Sequence, residues 1–419
     1  MGEQLHKKFL DEEVKSLLES YLSGEIRVEY VLQILGIKRR RFFELLNEYR
    51  NNPDGFTIRY KRKTKRRIKK SLEKVILKEL EKEKEMIENK DISIKTYNYS
   101  YIKDEIFRKY AEEVSLPTII KRAKENKYYI PRKERKSHDR EVLTNYIGEL
   151  IQHDTSIHKW SPYVEEKWYL ITSLDDYSRY ILHAALLEKE SSWVHILALE
   201  SVFLTKGIPL SYYVDCHSIF RFVQGRDSIW RENRKVTDEV EPQWKQVLSD
   251  CNVKVTYALS PQAKGKIERP YQWLQDRIVR TCAREDIRTI EKAREVLKYE
   301  VDRYNNRQVH STTKEIPAIR FDRALREKKS LFREFKVRPP YLSTKDIFCL
   351  REERTVDAYR KISINNLQLK VQDAPIREKI QLRIYPDIKT GVAEVRFWYE
   401  GKLLDVQKVK NSDLKLVHF

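Results

Sequence analysis

Apolar residues recur at helical spacing through the first 130 positions. Leu10, Val14, Leu17, Leu18, Tyr21 and Leu22 mark one helix over 5–22, which Gly24 ends. A second spans Val28–Leu35. Gly36 then makes a turn, and a third runs from Lys38 to Tyr49 with Phe42, Phe43, Leu45 and Leu46 as its apolar contacts. Helix, short glycine-containing turn, helix is the outline of a helix-turn-helix, so 1–58 is predicted to be a helix-turn-helix DNA-binding domain. Leu72, Val75, Ile76, Leu77 and Leu80 lie along a charged helix over 71–89, and 101–111 reads as another. Ser115 caps a third, with Pro117 just inside it. These predict a second helical, helix-turn-helix DNA-binding domain over 71–130, followed by a linker over 131–145.

From residue 146 the pattern changes. Three apolar runs, 149–154, 167–174 and 179–187, are separated by polar turns and suit an antiparallel meander. A helix over 192–206 follows, then strands at 209–214 and 253–256, and helices at 262–284 and 287–304. This predicts a central α/β domain over 146–320. Residues 321–336 read as helical, within a linker over 321–344 that Pro339 and Pro340 break. Short alternating stretches then fill 345–411, with turns such as Pro386–Asp387 and Glu400–Gly401, and predict a small all-β barrel. The fold class expected is multidomain: all-α modules, a central α/β domain, a C-terminal small β-barrel.

Charge adds a partner. The chain carries 84 Lys and Arg against 64 Asp and Glu, a net charge of +20. Such an excess attracts polyanions, nucleic acid first, against the plainer alternative of a merely basic protein. Lys38, Arg39, Arg40 and Arg41 open the third helix, where recognition helices meet bases; the plainer reading is a helical bundle with a basic surface. Lys61, Arg62, Lys63, Lys65, Arg66 and Arg67 belong to the run over 59–70, a basic linker whose cations suit phosphates. Cys216, Cys251, Cys282 and Cys349 form no CxxC pair, which argues against a zinc knuckle or disulfide framework. No run reaches membrane-spanning length and the N-terminus lacks a signal-like segment, so no membrane partner is expected.

Three acids stand out in the central domain. Asp154 lies in G-E-L-I-Q-H-D-T-S-I-H-K-W, Asp215 ends the apolar run L-S-Y-Y-V-D, and Glu268 lies in S-P-Q-A-K-G-K-I-E-R-P-Y. A fold that gathered them would suit magnesium, which takes hard oxygen ligands. Two such ions about 4 Å apart activate a nucleophile and stabilise a leaving oxygen. The segments L-D-D-Y-S-R-Y (174–180) and S-P-Q-A-K-G-K-I-E-R (260–269) complete the pattern. Over roughly 145–320 the chain resembles the catalytic core of DDE transposases and retroviral-type integrases, especially those of bacterial insertion sequences. Position by position, the family's acids fall on Asp154, Asp215 and Glu268.

The resemblance implies an RNase H-like fold for 146–320 and a magnesium-dependent transposase with two ions per site, for which manganese substitutes. The three acids would be both catalytic and metal ligands. It implies double-stranded DNA at transposon ends and in the target as partners, a homo-multimer on paired ends, and a bacterial cytoplasmic or nucleoid-associated setting. Fifty-two residues separate Asp215 from Glu268, more than the family commonly has, which implies an insertion near 225–248. Asp227, Asp238 and Asp250 compete with Asp215, which is favoured by its place at the end of an apolar run. Asp175 and Asp176 compete with Asp154 but read better as a cap or as a salt bridge to Arg179. His153, His158 and His217 lack structural-zinc spacing. Lys264, Lys266 and Arg269 flank the last acid and suit a DNA backbone, a character that Arg277, Arg280 and Arg284 extend. A catalytically inactive DNA-binding regulator and a structure-specific nuclease are the alternatives.

Overall fold

In a computed structural model, described over residues 5–59, 68–131, 144–215, 242–258, 265–364 and 367–414 with only the backbone of 265–268, the N-terminal apolar stripes become α1 (Asp11–Leu22), α2 (Val28–Leu35) and α3 (Arg39–Asn51). The first helix starts later than its pattern implied. The Glu13 carboxylate accepts from the Leu10 backbone N–H at 2.8 Å and fixes the start there. Gly36, at φ 62°, ends α2. Val14 and Leu18, Val31 and Leu35, and Phe42, Leu45 and Leu46 close one core with Phe56 and Ile58. This core lies wholly within the first of two structural units, Met1–Lys74; the second is Val75–Phe419.

The second unit is built on a five-stranded mixed sheet. Strands β1 (Ile151–His158), β2 (Trp168–Asp175) and β3 (Ile181–Leu187) form the expected meander, and β4 (Ser211–Val214) and β5 (Lys254–Tyr257) add parallel to β1, giving the order β3-β2-β1-β4-β5. Helices α7 (Ser192–Thr205) and α8 (Gln243–Asp250) cover one face; Trp193, Leu199, Phe203, Trp244 and Leu248 pack there with Ile151 and Tyr212. On the other face, α9 (Gly265–Arg284) and α10 (Ile290–Asn306) bury Leu274, Ile278 and Leu297 against Trp168, Leu170 and Leu174.

After α11 (Pro317–Arg326) the predicted helix does not continue. Residues 329–333 instead run extended. Ile147 N donates to the Lys329 carbonyl at 3.1 Å, and Ile208 and Arg333 exchange backbone bonds of 2.7 and 2.8 Å. This close passage explains two glycines. A Cβ on Gly148 (φ 72°) would sit 2.7 Å from the Phe332 ring, and one on Gly207 (φ 104°) 2.5 Å from the Arg333 carbonyl.

The C-terminal strands β6 (Leu350–Thr355), β9 (Lys379–Asp387), β10 (Val392–Tyr399) and β11 (Lys402–Lys410) form an open antiparallel sheet in the order β11-β10-β9-β6, beside a separate hairpin of β7 (Lys361–Ile364) and β8 (Leu367–Lys370). This corrects the expected small barrel: among the described residues the strands do not close on themselves. Phe348, Leu382 and Phe397 instead share one hydrophobic core with α7 and α8, and the Tyr385 ring meets Trp193 edge-on at 5.0 Å. The apolar face of the sheet is buried against α7 and α8, so it need not curl on itself to bury that face.

Helices α4 (Lys70–Glu88), α5 (Tyr99–Tyr110) and α6 (Leu116–Glu125) precede the central sheet. From Val75 onward they belong to the second unit. Met86, Ile92 and Ile94 pack on Val279 of α9. Among the described residues no helix is long and apolar enough to cross a membrane.

Candidate active site

Side chains alternate across a strand. Along β1, Ile151 joins the core under α7, and His153 faces the same way, its Nε2 lying 2.8 Å from Nδ1 of His195 on α7. Asp154 therefore belongs to the opposite, α9-covered face. It pairs in register with Thr172 of β2 and is partly exposed. The strand does not end at this acid, as its apolar run implied; pairing continues to His158 opposite Trp168.

Strand β4 runs parallel to β1 with Tyr212 beside Ile151 and Tyr213 beside Gln152. Asp215 directly follows β4, two positions beyond the last β1–β4 pair, and is also partly exposed; the same register extended by two residues would bring it alongside Asp154. Adjacent strands lie about 4.8 Å apart. Helix α9 crosses the same face. The Thr172 hydroxyl donates to the Tyr271 hydroxyl at 2.8 Å, and the Tyr271 hydroxyl donates to the backbone carbonyl of Asp154. Burial, followed by the charge of Asp154, holds the Tyr271 hydroxyl far above the usual phenol range. Glu268 occupies the first turn of α9, three residues before Tyr271; its side chain falls outside the described residues.

The donors at Asp154 and Asp215 are carboxylate oxygens, which fit magnesium better than zinc. Among the described residues no three His, Cys, Asp or Glu side chains form a metal-holding group. His153 is committed elsewhere: its Nδ1 lies 2.9 Å from the Ser173 hydroxyl, and His195 continues the chain to Glu190 at 3.0 Å. His158 packs edge-on against Trp160, and burial lowers its pKa.

The competing acids have structural work. Asp175 accepts from the Gly148 N–H at 2.8 Å and from the Ser178 N–H and hydroxyl, and burial pushes its carboxyl up to about 6 against those bonds. Asp176 accepts from Thr144 and Gln152 and pairs with Arg179 at 2.7 Å, the salt bridge expected from sequence. Asp250 pairs with Arg351 at 2.6 Å. Asp227, Asp238 and His217 lie outside the described residues.

The basic candidates divide. Lys38, Arg39, Arg40 and Arg41 are exposed at the start of α3, in loose pairs with Glu29, Glu44 and Glu48 where they pair at all. Arg269 is exposed and donates to the Thr312 hydroxyl at 2.8 Å. Lys61, Arg62, Lys63, Lys65, Arg66, Arg67 and Lys264 lie outside the described residues, and Lys266 is described by its backbone alone. Arg277, Arg280 and Arg284 overturn their expectation. Their side chains are 4% exposed or less and hold carboxylates of this chain: Arg277 binds Glu300 and Asp104, Arg280 binds Glu83 and Asp276, and Arg284 binds Glu79 and Glu83. Guanidiniums so engaged do not present charge to a DNA backbone. Sequence reasoning also missed Tyr271. Its only signal was its place one turn after Glu268 in I-E-R-P-Y.

No family model matches the chain. It is 28% identical over 246 residues to a Sinorhizobium fredii protein carrying a transposase name, y4bF, covering 58% of this chain and 49% of that one. It is 30% identical over 171 residues to the transposase for insertion sequence IS1202 of Streptococcus pneumoniae, covering 41% and 35%. The chain thus spans half or less of the length of these relatives. Among solved structures it is similar to the catalytic core domain of BIV integrase (14% identity, 43% of this chain and 98% of that chain, TM-score 0.31). It is likewise similar to the HTLV-2 integrase catalytic core domain in complex with magnesium (16%, 43% and 98%, TM-score 0.31). The curated relatives show the resemblance to bacterial insertion-sequence transposases that the motifs carried.

Proposed function

We propose that this protein is a DNA transposase that binds element ends, hydrolyses phosphodiesters there and joins the freed 3′-hydroxyls to target DNA. One observation supports the reading: continued past its last pair, Gln152–Tyr213, the β1–β4 register would bring Asp215 alongside Asp154, while α9, which bears Glu268 in its first turn, is bonded to the Asp154 backbone through Tyr271. The similarity to insertion-sequence transposases supports it.

Asp154, Asp215 and Glu268 are the residues that would hold two magnesium ions, with manganese as substitute. Bound there, the ions supply Lewis acidity to the attacking and leaving oxygens of an in-line displacement. In cleavage, a water oxygen attacks the scissile phosphorus, the P–O3′ bond breaks, and the 3′-oxygen leaves as a hydroxyl. In joining, that hydroxyl attacks a target phosphorus and a target 3′-oxygen leaves. Hydrolysis runs downhill, and in joining one phosphodiester forms for the one broken, so no outside energy source is needed.

The chain's own contribution is placement. Residues 1–58 act as a helix-turn-helix end reader, with Lys38 to Arg41 at the groove, and the basic linker 59–70 follows phosphates through Lys61, Arg62, Lys63, Lys65, Arg66 and Arg67. Lys264, Lys266 and Arg269 meet the backbone beside the reacting phosphate. Helices α4–α6 form the second helical module, 146–320 is the RNase H-like catalytic domain with its insertion near 225–248, and the C-terminal sheet stands where a small β domain was expected. Two ends must be coordinated by a chain with a single acidic triad, so the active species is a homo-multimer on paired ends. The test is incubation with the DNA flanking this chain's own gene and Mg²⁺, followed by sequencing of the products. Cleaved ends joined to new sites are expected; cleavage without joining would make it a nuclease, and binding alone a regulator.

A further inference from the structure

We infer that Tyr271 is a positioning residue for the acidic site, setting the backbone of Asp154 and locking it to the helical turn that carries Glu268. This rests on the transposase reading above.

The geometry is specific. Tyr271 is 6% exposed, and its hydroxyl meets two groups on the sheet face beneath α9. It accepts from Thr172, the cross-strand partner of Asp154, and donates to the Asp154 carbonyl. Thr172 is itself buried. A buried phenol must find partners, and this one finds them at the single residue pair of β1 and β2 that includes the proposed ligand. The bond falls on the main chain, so it fixes where the Cα of Asp154 stands rather than competing for the carboxylate. Tyr271 is also separated from Glu268 by under one helical turn. One hydroxyl thus ties the strand bearing the first acid to the helix bearing the last. The neighbouring residues of α9 that also face the sheet, Leu274 and Ile278, make apolar contacts only. They press the helix on the sheet without fixing its position along β1, because dispersion is not directional. The Tyr271 bonds supply that direction.

Residues that orient metal ligands typically change metal affinity 10- to 100-fold when lost. Replacing Tyr271 with Phe keeps the ring and its packing and removes the one hydroxyl. The experiment is titration of the full-length protein with Mn²⁺, read by the loss of free-ion EPR signal, for wild type, Tyr271→Phe and Asp154→Asn, with melting temperature in EDTA as the control for folding. Tyr271→Phe is expected to melt as a folded protein and to bind Mn²⁺ about tenfold more weakly. In the cleavage assay, the Mg²⁺ concentration for half-maximal rate is expected to rise with unchanged affinity for DNA, a split that a general loss of packing would not give. Wild-type Mn²⁺ affinity in Tyr271→Phe, with affinity lost in Asp154→Asn, overturns the inference and leaves the acidic site standing. Wild-type affinity in Asp154→Asn overturns the reading on which both depend. Should Tyr271→Phe not fold, Tyr271→Phe combined with Thr172→Val decides in its place: it leaves no Thr172 hydroxyl behind without its partner and still lacks the bond to Asp154, and weaker Mn²⁺ binding supports the inference while wild-type binding defeats it.

Discussion

Two regions of this chain read almost alike as sequence and are built differently. Residues 5–59 and residues 75–125 each hold three short helices with apolar stripes and a rich admixture of charge. The first closes a core of its own, from Val14 through Phe42 to Ile58, and its ion pairs, such as Arg40 with Glu44, lie on the surface. The second packs its inward face on the body of the central sheet domain. Glu79 and Glu83 of α4 are fully buried against Arg284 and Arg280 of α9, Asp104 of α5 receives Arg277 and Arg303, and the Tyr101 hydroxyl lies 2.8 Å from that of Thr281. A helical module with its own core is free to act as a reader. One that buries carboxylates against the arginines of another element is part of that element's support, and here the element is the helix that carries Glu268.

The largest expected effect sharpens the division of labour. Asp154→Asn, Asp215→Asn and Glu268→Gln keep shape and remove ligand charge, so each is expected to abolish cleavage and joining. Binding of element-end DNA is expected to persist, since the proposed readers lie in the first unit. The two are measured in parallel, with Asp227→Asn as a control that keeps its activity. Near-normal turnover in Asp154→Asn or Glu268→Gln would remove the basis of the three-carboxylate site. A dead Asp227→Asn beside a live Asp215→Asn would reassign the second acid.

Next in size is the buried pairing of α4 with α9. Removing one partner of such a pair costs about 3–5 kcal/mol, because a charge stays behind without its counterpart. Glu83→Ala is therefore expected to lower the melting transition of the second unit and leave the first unit's transition in place. Glu83→Leu combined with Arg280→Met is expected to recover much of the loss, as apolar replacement of a whole buried pair commonly does. If Glu83→Ala shifts neither transition, the docking of α4 carries no weight and the two modules are equivalent after all.

Acidity distinguishes the modules more gently. Burial alone would raise the Glu79 carboxyl, but Arg284 outweighs it and holds the group below its ordinary range; Glu105 behaves alike beside Arg108 and Lys109. A depressed folded pKa contributes stability above the unfolded value and loses it as pH falls through the folded one. The docking of α4 on α9 and the ion pairs along α5 are thus expected to loosen below about pH 4. Hydrogen exchange at α4 and α5 across that range measures this, with α1–α3 as the internal reference, and equal protection throughout would contradict it.

How much of this was open to sequence reading follows from range. The meander, α7 and β4 were legible because each is an apolar run or stripe contained within itself, and Asp215 was legible as the residue that ends one. The extension of β1 beyond Asp154 was not. Thr155 to His158 carry no strand pattern and are held by pairing with the strand ending at Trp168. Residues 329–333 continue an apolar spacing that looks helical, yet their backbone pairs with Ile147 and Ile208, more than a hundred positions away. The alternation over 345–411 revealed strands but not closure, which depends on edges meeting. Arg277, Arg280 and Arg284 form a basic row on one helix; the acids that answer Arg280 and Arg284 from α4 stand about two hundred residues earlier. In the proposed site, the acids were chosen from motifs, while Tyr271 needed the sheet beneath it.

The smallest structural effect belongs to the exposed cations of α3. Glu44 is held below its usual range by bonds from Arg41 and Arg40, but all three groups face water. Exposed pairs of this kind contribute little and are screened by salt. Arg40→Ala and Arg41→Ala are expected to leave the first unit's melting transition where it is. Their effect should appear in DNA binding, where each lost phosphate contact lowers the slope of log affinity against log salt by about one, whereas loss of a base contact weakens the preference for end sequence over random DNA without changing that slope. Titration of end and random duplexes at several salt concentrations separates the two. A variant that leaves both the slope and the preference untouched would take that arginine out of the interface, and if all four cations from Lys38 to Arg41 behaved so, the first unit would be a reader only by its outline.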